Sequence, residues 1–352
     1  MKNEKEYGDY ILDTTSRLLA IDSPSGLTRR AARFVQDELK SLGYASSLTR
    51  KGGVLADLGG KNAEDAIFLE AHMDTLGAMV AEVKENGRLR LTPIGGMNAN
   101  NAEGENCRVV TKFDGIYEGT FQLNNASIHV NDDYNDKKRD YNNMELVLDE
   151  DVRSKEDVLE LGICQGDFVC FEPRTRITES GYIKSRFLDD KLSVGILLGY
   201  AKYLKEEGIC PERKVYLHIT AYEEVGHGGS ASVPEGVTEA ISVDMGCVGD
   251  GLMCTERQVS ICAKDSGGPY DYEVVKGLMA AAKKMRADFA VDVYPHYGSD
   301  VEATLRAGYD VRHGLIGAGV YASHGYERSH RDGAVNTLKV LAGYIPGEPC
   351  EQ

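Results

Sequence analysis

The chain contains no C-x-x-C pair, no apolar run of bilayer length and only 9 prolines in 352 residues. Each absence excludes something. The eight cysteines, at 107, 164, 170, 210, 247, 254, 262 and 350, have no ligand spacing. Disulfide frameworks belong to short secreted chains, so these cysteines read as reduced thiols packed as small core residues. The longest apolar runs, such as the one around Val194 to Leu198, fall far short of the ~20 residues that span a membrane, so no membrane partner is expected. The opening MKNEKEYGDY has no apolar signal segment, and the expected location is cytoplasmic. Few prolines beside 39 glycines suit tight strand–helix turns rather than disorder. Positive charge is also short: 40 Lys+Arg against 56 Asp+Glu leaves a net charge of −16, which repels a phosphate backbone and argues against a nucleic-acid partner.

What is present is a globular composition, 42% hydrophobic and 27% charged, long enough for two domains or one with an insertion. The first segment alternates helix and strand signals. Tyr7, Tyr10, Ile11, Leu18 and Leu19 form a helical stripe, and Leu27 to Leu42 forms another, with Thr28 at the N-cap and Gly43 as its stop. GVLADL and AIFLEAH follow, the second apolar enough to be buried on both faces. From Ala78 the texture becomes β-rich, beginning with two alternating strands around Asn86-Gly87, the dipeptide that type I′ hairpins favour. The polar stretch NDDYNDKKRDYNN is expected to remain a solvated loop. After Phe187, helix and strand alternate again to the end. The expected fold is therefore α/β, a mostly parallel sheet with helices on both faces, in a discontinuous domain of residues 1–77 and 177–352. Residues 78–176 are expected to form an inserted small β-barrel-like domain.

Ligands of open α/β sheets sit at the C-terminal ends of strands, and four acidic or histidine groups fall there. His72 and Asp74 follow the strand IFLEA, an imidazole beside a carboxylate, as in a metal ligand with its orienting partner. Asp189-Asp190 opens a helix; one Asp suffices for a cap, and the second crowds charge that a divalent cation would relieve. Glu223-Glu224 ends the strand KVYLHITAY, where neighbouring side chains point to opposite sides, so one can bind metal while the other acts as a base. Asp244 lies among apolar residues, and a buried Asp is rare without a partner. Gly317-x-Gly319-x-x-Ala322 loosely matches a dinucleotide fingerprint, but no apolar helix follows and no acid lies ~20 residues on, so we reject it. No H-E-x-x-H, P-loop, G-x-S-x-G or EF-hand spacing occurs. His129, His218 and His227 read as structural or surface histidines.

Taken together, AHMDTLG, FLDDKLS, AYEEVGHGG, SVDMG and SHGYE resemble, in order and spacing, the di-zinc glutamyl/deblocking aminopeptidases that form TET cages. The resemblance covers essentially the whole chain, including the position of the β-rich insertion. It implies an aminopeptidase with two divalent ions per subunit, zinc foremost, with cobalt or manganese sharing such sites. By the same resemblance His72, Glu224, Asp244 and His324 would be terminal ligands and Asp189 the bridging carboxylate. Asp74 would orient His72, and Glu223 would be the general base for a metal-activated water. Asp190 would follow Asp189 across a cis peptide. The family's His-Ser/Thr-Pro is here His324-Gly325-Tyr326, which keeps His330 and His313 as rivals for the last ligand. The segment NANNAEGENC also departs from the family at large. The family's insertion is a dimerisation module, so the expected partners are peptide substrates and further copies of the chain, from dimer to dodecamer.

Other activities use similar di-metal sheets. A carboxypeptidase or N-acyl-amino-acid deacylase needs a cation for the substrate carboxylate, and Arg257, Arg306, Arg312 and Arg328 lie in the relevant half. A glycosidase needs a carboxylate pair free of metal. A non-enzymatic assembly or binding protein has no use for a complete ligand set.

Overall fold

A computed structural model describes residues 3–350. They divide into two compact units, one of the residues up to Asp74 together with those from Thr175 onward, the other Thr75–Arg174. The division falls at 74/75 and 174/175 rather than 77/78 and 176/177, because the chain leaves its first unit directly after Asp74 and enters the strand Gly77–Val83 of the second.

The first unit is built on a sheet that is parallel at its centre. The strand Asn62–His72 has parallel neighbours Arg213–Thr220 and Val237–Val243, and the latter pairs in parallel with Arg312–Tyr321. Antiparallel strands flank this centre, among them Val54–Gly59 on one side and Glu327–His330 and Tyr182–Ser185 on the other. The two last strands carry little apolar alternation, and the sequence reading did not mark them as strands. Along Asn62–His72 side chains alternate faces. Phe68 joins a core cluster with Val301, and Glu70 meets Thr304, so this face looks toward the helix Asp300–Arg306. Ile67, Leu69 and Ala71 point the other way, and the helix Leu188–Glu206 also packs on this strand.

Local signals act as their chemistry dictates. The stripe on Glu4–Leu19 buries Tyr7, Ile11, Leu18 and Leu19. Thr28 stands at the cap of Arg29–Ser41, but its hydroxyl makes no capping bond; Gly43, at φ +87°, ends the helical segment in the left-handed region that glycine enters without steric cost. No helix among the described residues is long and apolar enough to cross a membrane. No disulfide joins any of the eight cysteines, all of which lie among the described residues.

The second unit is a closed barrel in the order Gly77–Val83, Leu89–Ile94, Met144–Leu148, Ile116–Leu123, Glu105–Val110 and Phe168–Phe171. Val80, Leu91, Phe121, Leu146 and Phe171 are buried in it, and closure leaves no free sheet edge within the ring. The first hairpin differs from the expected two-residue type I′ turn. Lys84 and Arg88 are hydrogen-bonded across a three-residue loop, and only Gly87 takes a positive φ, +77°. This is the turn-plus-bulge alternative, which needs one left-handed residue rather than two. The polar 131–143 stretch forms exposed turns, tied down by Arg139, which bonds Glu103 and the carbonyls of Tyr134 and Lys137. The Asn98–Cys107 segment forms a short 3-10 helix at Ala99–Ala102 and then enters the strand Glu105–Val110.

The glycine pattern that resembled a dinucleotide motif has a packing cause. A Cβ on Gly317 would overlap the main-chain carbonyl of Asp244, and one on Gly319 that of Thr255. Backbone cannot yield as a flexible side chain does, so Gly317→Ala is expected to cost about 1–3 kcal/mol of unfolding free energy. Thermal and denaturant melts check this; an unchanged midpoint would show that the sheet absorbs the methyl group.

Candidate active site

Three of the acidic and histidine groups stand at ends of neighbouring parallel strands. His72 is the last residue of its strand, Asp244 follows the strand ending at Val243, and Glu223 and Glu224 lie just beyond the strand ending at Thr220. The loop after Arg312–Tyr321 adds His324, and the start of Leu188–Glu206 adds Asp189 and Asp190. Parallel strands place their C-terminal ends on one edge, which is why residues so distant in sequence meet.

The centre of the cluster is Asp189. One of its oxygens lies 3.2 Å from His72 Nε2, and the other lies 3.6 Å from His324 Nε2. His324 Nε2 is also 3.8 Å from Glu224, and His72 Nε2 is 3.6 Å from Glu223. Donor atoms of His72, Asp189 and Glu224 lie within 4.8 Å of one another, as do those of His72, Asp190 and Asp244. The Asp189–Asp190 peptide bond is cis. Neither side chain caps the helix in the ordinary way. The cap position belongs to Phe187, which makes no side-chain capping bond, and both aspartates have non-helical backbone angles.

Some details differ from the sequence expectation. Glu223 and Glu224 are not strand residues. They form the 3-10 turn Glu223–Val225, so instead of pointing to opposite sides of a sheet, both reach the cluster. Asp74 orients His72 through its main-chain carbonyl, 2.9 Å from Nδ1, whereas its carboxylate stands 3.6 Å from that nitrogen. That carboxylate accepts bonds from Ser25 Oγ at 2.5 Å and from the amides of Glu223 and Glu224 at 3.1 and 3.4 Å. It fixes the acidic turn rather than the imidazole.

Of the rival histidines, His330 is buried rather than solvated. Its Nε2 lies 2.7 Å from the Ser180 carbonyl, and its Nδ1 accepts the Asp332 amide at 3.0 Å, capping the last helix. His313 packs against the Tyr270 ring. The structure brings His324 to the cluster and leaves both rivals outside it. The sequence reading also missed Glu327. Buried at the start of a strand, it accepts the amides of Asp189 at 3.1 Å and His324 at 2.9 Å, and so ties two cluster residues together. Its position inside the SHGYE motif was the available signal.

So many acids in a desolvated space hold protons against their ordinary tendency. Burial, then repulsion from Asp189, raises Asp244 to about 7. Burial raises Glu223 and Glu224 well above the carboxylate range, aided by repulsion from Asp244 and Asp189 respectively. Asp189 alone goes the other way: burial opposes ionisation, but hydrogen bonds from His324 and His72 together outweigh it. Asp190 Oδ1 and Glu224 Oε1 are buried with no hydrogen-bond partner. Buried polar atoms are almost always paired, so two orphaned carboxylate oxygens beside two imidazoles fit a divalent cation that would replace the retained protons. The cluster opens on a cleft of about 470 Å³ lined also by Met245, His296, Tyr297 and Arg306. Of the four candidate arginines, Arg306 alone lines it; Arg257 pairs with Asp332, Arg312 with Glu239, and Arg328 lies over Tyr182.

The fold is that of solved aminopeptidases. It superposes on an aminopeptidase from the archaeon Desulfurococcus kamchatkensis with a TM-score of 0.86 at 23% identity, covering 97% of this chain and 95% of that one. The Pyrococcus horikoshii TET1 peptidase gives 0.83 at 22% identity, covering 95% and 99%. Residues 52–340 match the M42 glutamyl aminopeptidase family model, and the chain belongs to that family. YhfE of Bacillus subtilis (strain 168) is 42% identical over 95% of this chain and 96% of its own length. The lysyl aminopeptidase of Pyrococcus furiosus is 25% identical over 64% of this chain and 63% of its own. The chain is accordingly a peptide-bond hydrolase of the aminopeptidase type.

Because His330 serves as a cap, His330→Ala is expected to lower stability by ~0.5–2 kcal/mol, with an Asn replacement recovering part of it. Turnover per folded molecule is expected to stay at wild-type level. Parallel melting and activity measurements check the split, and a loss of turnover without loss of stability would place His330 in the chemistry after all.

Proposed function

We propose that the enzyme releases the N-terminal residue of peptides with Glu223 as its general base and a pair of divalent ions in the cluster. His72, Glu224, Asp244 and His324 would be terminal ligands, and Asp189 would join the two positions. The observation that carries this reading is Asp189 itself, whose two oxygens face different imidazoles. Zinc fits the mixed imidazole and carboxylate donors, and cobalt and manganese share such sites. Bound there, the ions would supply a Lewis acid for the scissile carbonyl and a water acidified toward neutrality.

The chain's own residues do the rest. Asp74 holds the amides of Glu223 and Glu224, so the two carboxylates keep fixed places beside His72 and His324. Glu223 would take the proton of the attacking water and pass it to the leaving amine. Its burial suits that role, because a desolvated carboxylate binds a proton more firmly than one in water. His72 is held by the Asp74 carbonyl at Nδ1, which leaves Nε2 to face the cluster.

We also propose that the enzyme works as a homo-oligomer, with the barrel unit as its dimerisation module and a twelve-subunit cage as the full assembly. The Pyrococcus horikoshii relative, whose fold it shares, can assemble into a tetrahedron or a large octahedral shell. Enclosure would restrict substrates to peptides and unfolded segments, which suits a cytoplasmic peptidase. A charge of −16 per subunit opposes association at low salt, so interfaces should screen charge or bury apolar area.

Glu223→Gln is expected to lower turnover ~10²–10⁴-fold with metal retained. Glu224→Gln should release metal, and chelation should abolish activity in the parent. Metal analysis beside single-substrate kinetics tests all three; opposite behaviour of the two glutamine variants would exchange base and ligand.

For the assembly, light scattering at physiological salt is expected to give a dodecamer mass. A dimer would remove the cage, and a monomer across micromolar concentrations would remove the whole assembly proposal.

A further inference from the structure

The turn that carries Glu223 and Glu224 is pinned by groups that the reaction scheme leaves unused, one of which, Asp300, also lines the cleft. The chain leaves the sheet at Thr220, makes the 223–225 turn, and returns through Gly226, Gly228 and Gly229. Asp300, buried at the start of the Asp300–Arg306 helix, spans the two ends of this excursion. One carboxylate oxygen accepts the Thr220 hydroxyl, and the other accepts the Gly229 amide. Thr220 pairs across the sheet with His72, so the anchored end of the turn is in register with the cluster.

A second layer backs the first. Thr304 lies 2.7 Å from the Gly229 carbonyl and 3.0 Å from Glu70 through the same hydroxyl. The other oxygen of Glu70 meets His218 Nδ1 at 3.1 Å. On a third side Lys51 bonds the His227 carbonyl, lies 3.3 Å from that of Gly228, and reaches Ser230 Oγ at 3.0 Å. A Cβ on Gly228 would overlap the Asp300 carboxylate, and one on Gly229 its main-chain carbonyl, so the return path is packed to contact.

We infer that Asp300 is a positioning residue for catalysis: by joining the Thr220 hydroxyl to the Gly229 amide it closes the turn and aims Glu223 at the cluster. The inference rests on Glu223 acting as the base. Removing the carboxylate leaves two buried donors without their acceptor and the turn free to shift, and a displacement of about 1 Å at a reacting group costs up to ~10²-fold in rate.

The test compares Asp300→Ala, Asp300→Asn and Thr220→Val in the full-length enzyme, using aminoacyl-4-nitroanilides, metal analysis and thermal melts. Asp300→Ala is expected to lower kcat ~10–100-fold while KM stays within ~3-fold and metal content is unchanged. Asp300→Asn should stay within ~3-fold of the parent, because its amide can accept from Gly229 and donate to the Thr220 oxygen. Thr220→Val should lower kcat less than Asp300→Ala and add nothing to it in the double variant, as expected of two groups sharing one contact. Asp300→Asn falling as far as Asp300→Ala, loss of metal from Asp300→Ala, or unchanged turnover in all three would each overturn the inference. If Asp300→Ala fails to fold, Thr220→Val decides, and an unaltered kcat there counts against it. Should Glu223→Gln remain active while the Asp300 series behaves as expected, the base assignment fails and the clamp on the turn survives.

Discussion

Everything around the cleft is organised by one electrostatic constraint: carboxylates gathered out of water at one edge of a sheet. Repulsion between buried like charges is far stronger than between solvated ones. The protein meets it with two imidazoles placed on opposite oxygens of Asp189, and neighbouring acids such as Asp244 hold protons more firmly than they would in water. The same crowding that destabilises the folded chain creates its affinity for cations.

Around this centre a second set of carboxylates has a different task, the capture of backbone amides. Asp74 holds the Glu223–Glu224 turn, Glu327 holds the amides of Asp189 and His324, and Asp300 holds Gly229. Main-chain donors suit this role because they cannot rotate away, so each bond fixes a loop as well as neutralising a charge. The loops carry the reactive groups and the sheet carries the loops, which is how irregular backbone acquires defined geometry.

The helices of the first unit, its central strands and the change of texture at the insertion were legible because they rest on periodicity, which a single chain displays. The short flanking strands at Tyr182–Ser185 and Glu327–His330 were not, since their identity comes from the strands they pair with. The site divides in the same way. His72, Asp189, Glu224 and Asp244 are visible as acids and a histidine at element ends, whereas His324 enters through the family resemblance; all five converge. What Asp74 binds, how His330 caps a helix and why Glu327 is buried depend on where main-chain amides point, and no residue pattern states that. The Glu223–Glu224 pair shows the limit best: both side chains reach the cluster, but from a 3-10 turn where the residue pattern reads as a strand end.

The barrel interrupts the catalytic unit between Asp74 and Thr175, and this has a consequence for biosynthesis. The strand Asn62–His72 leaves the ribosome early, but both of its parallel partners lie more than a hundred residues downstream, beyond the whole insertion. Barrel pairings such as Gly77–Val83 with Leu89–Ile94 are local and antiparallel, which favours fast closure; the parallel sheet must wait for distant chain. During translation every strand of the barrel therefore emerges before either parallel neighbour of the apolar strand ending in His72. An apolar strand kept waiting for distant partners is the kind of surface that chaperones shield, so the place of the insertion in the chain lengthens the interval over which such shielding would count.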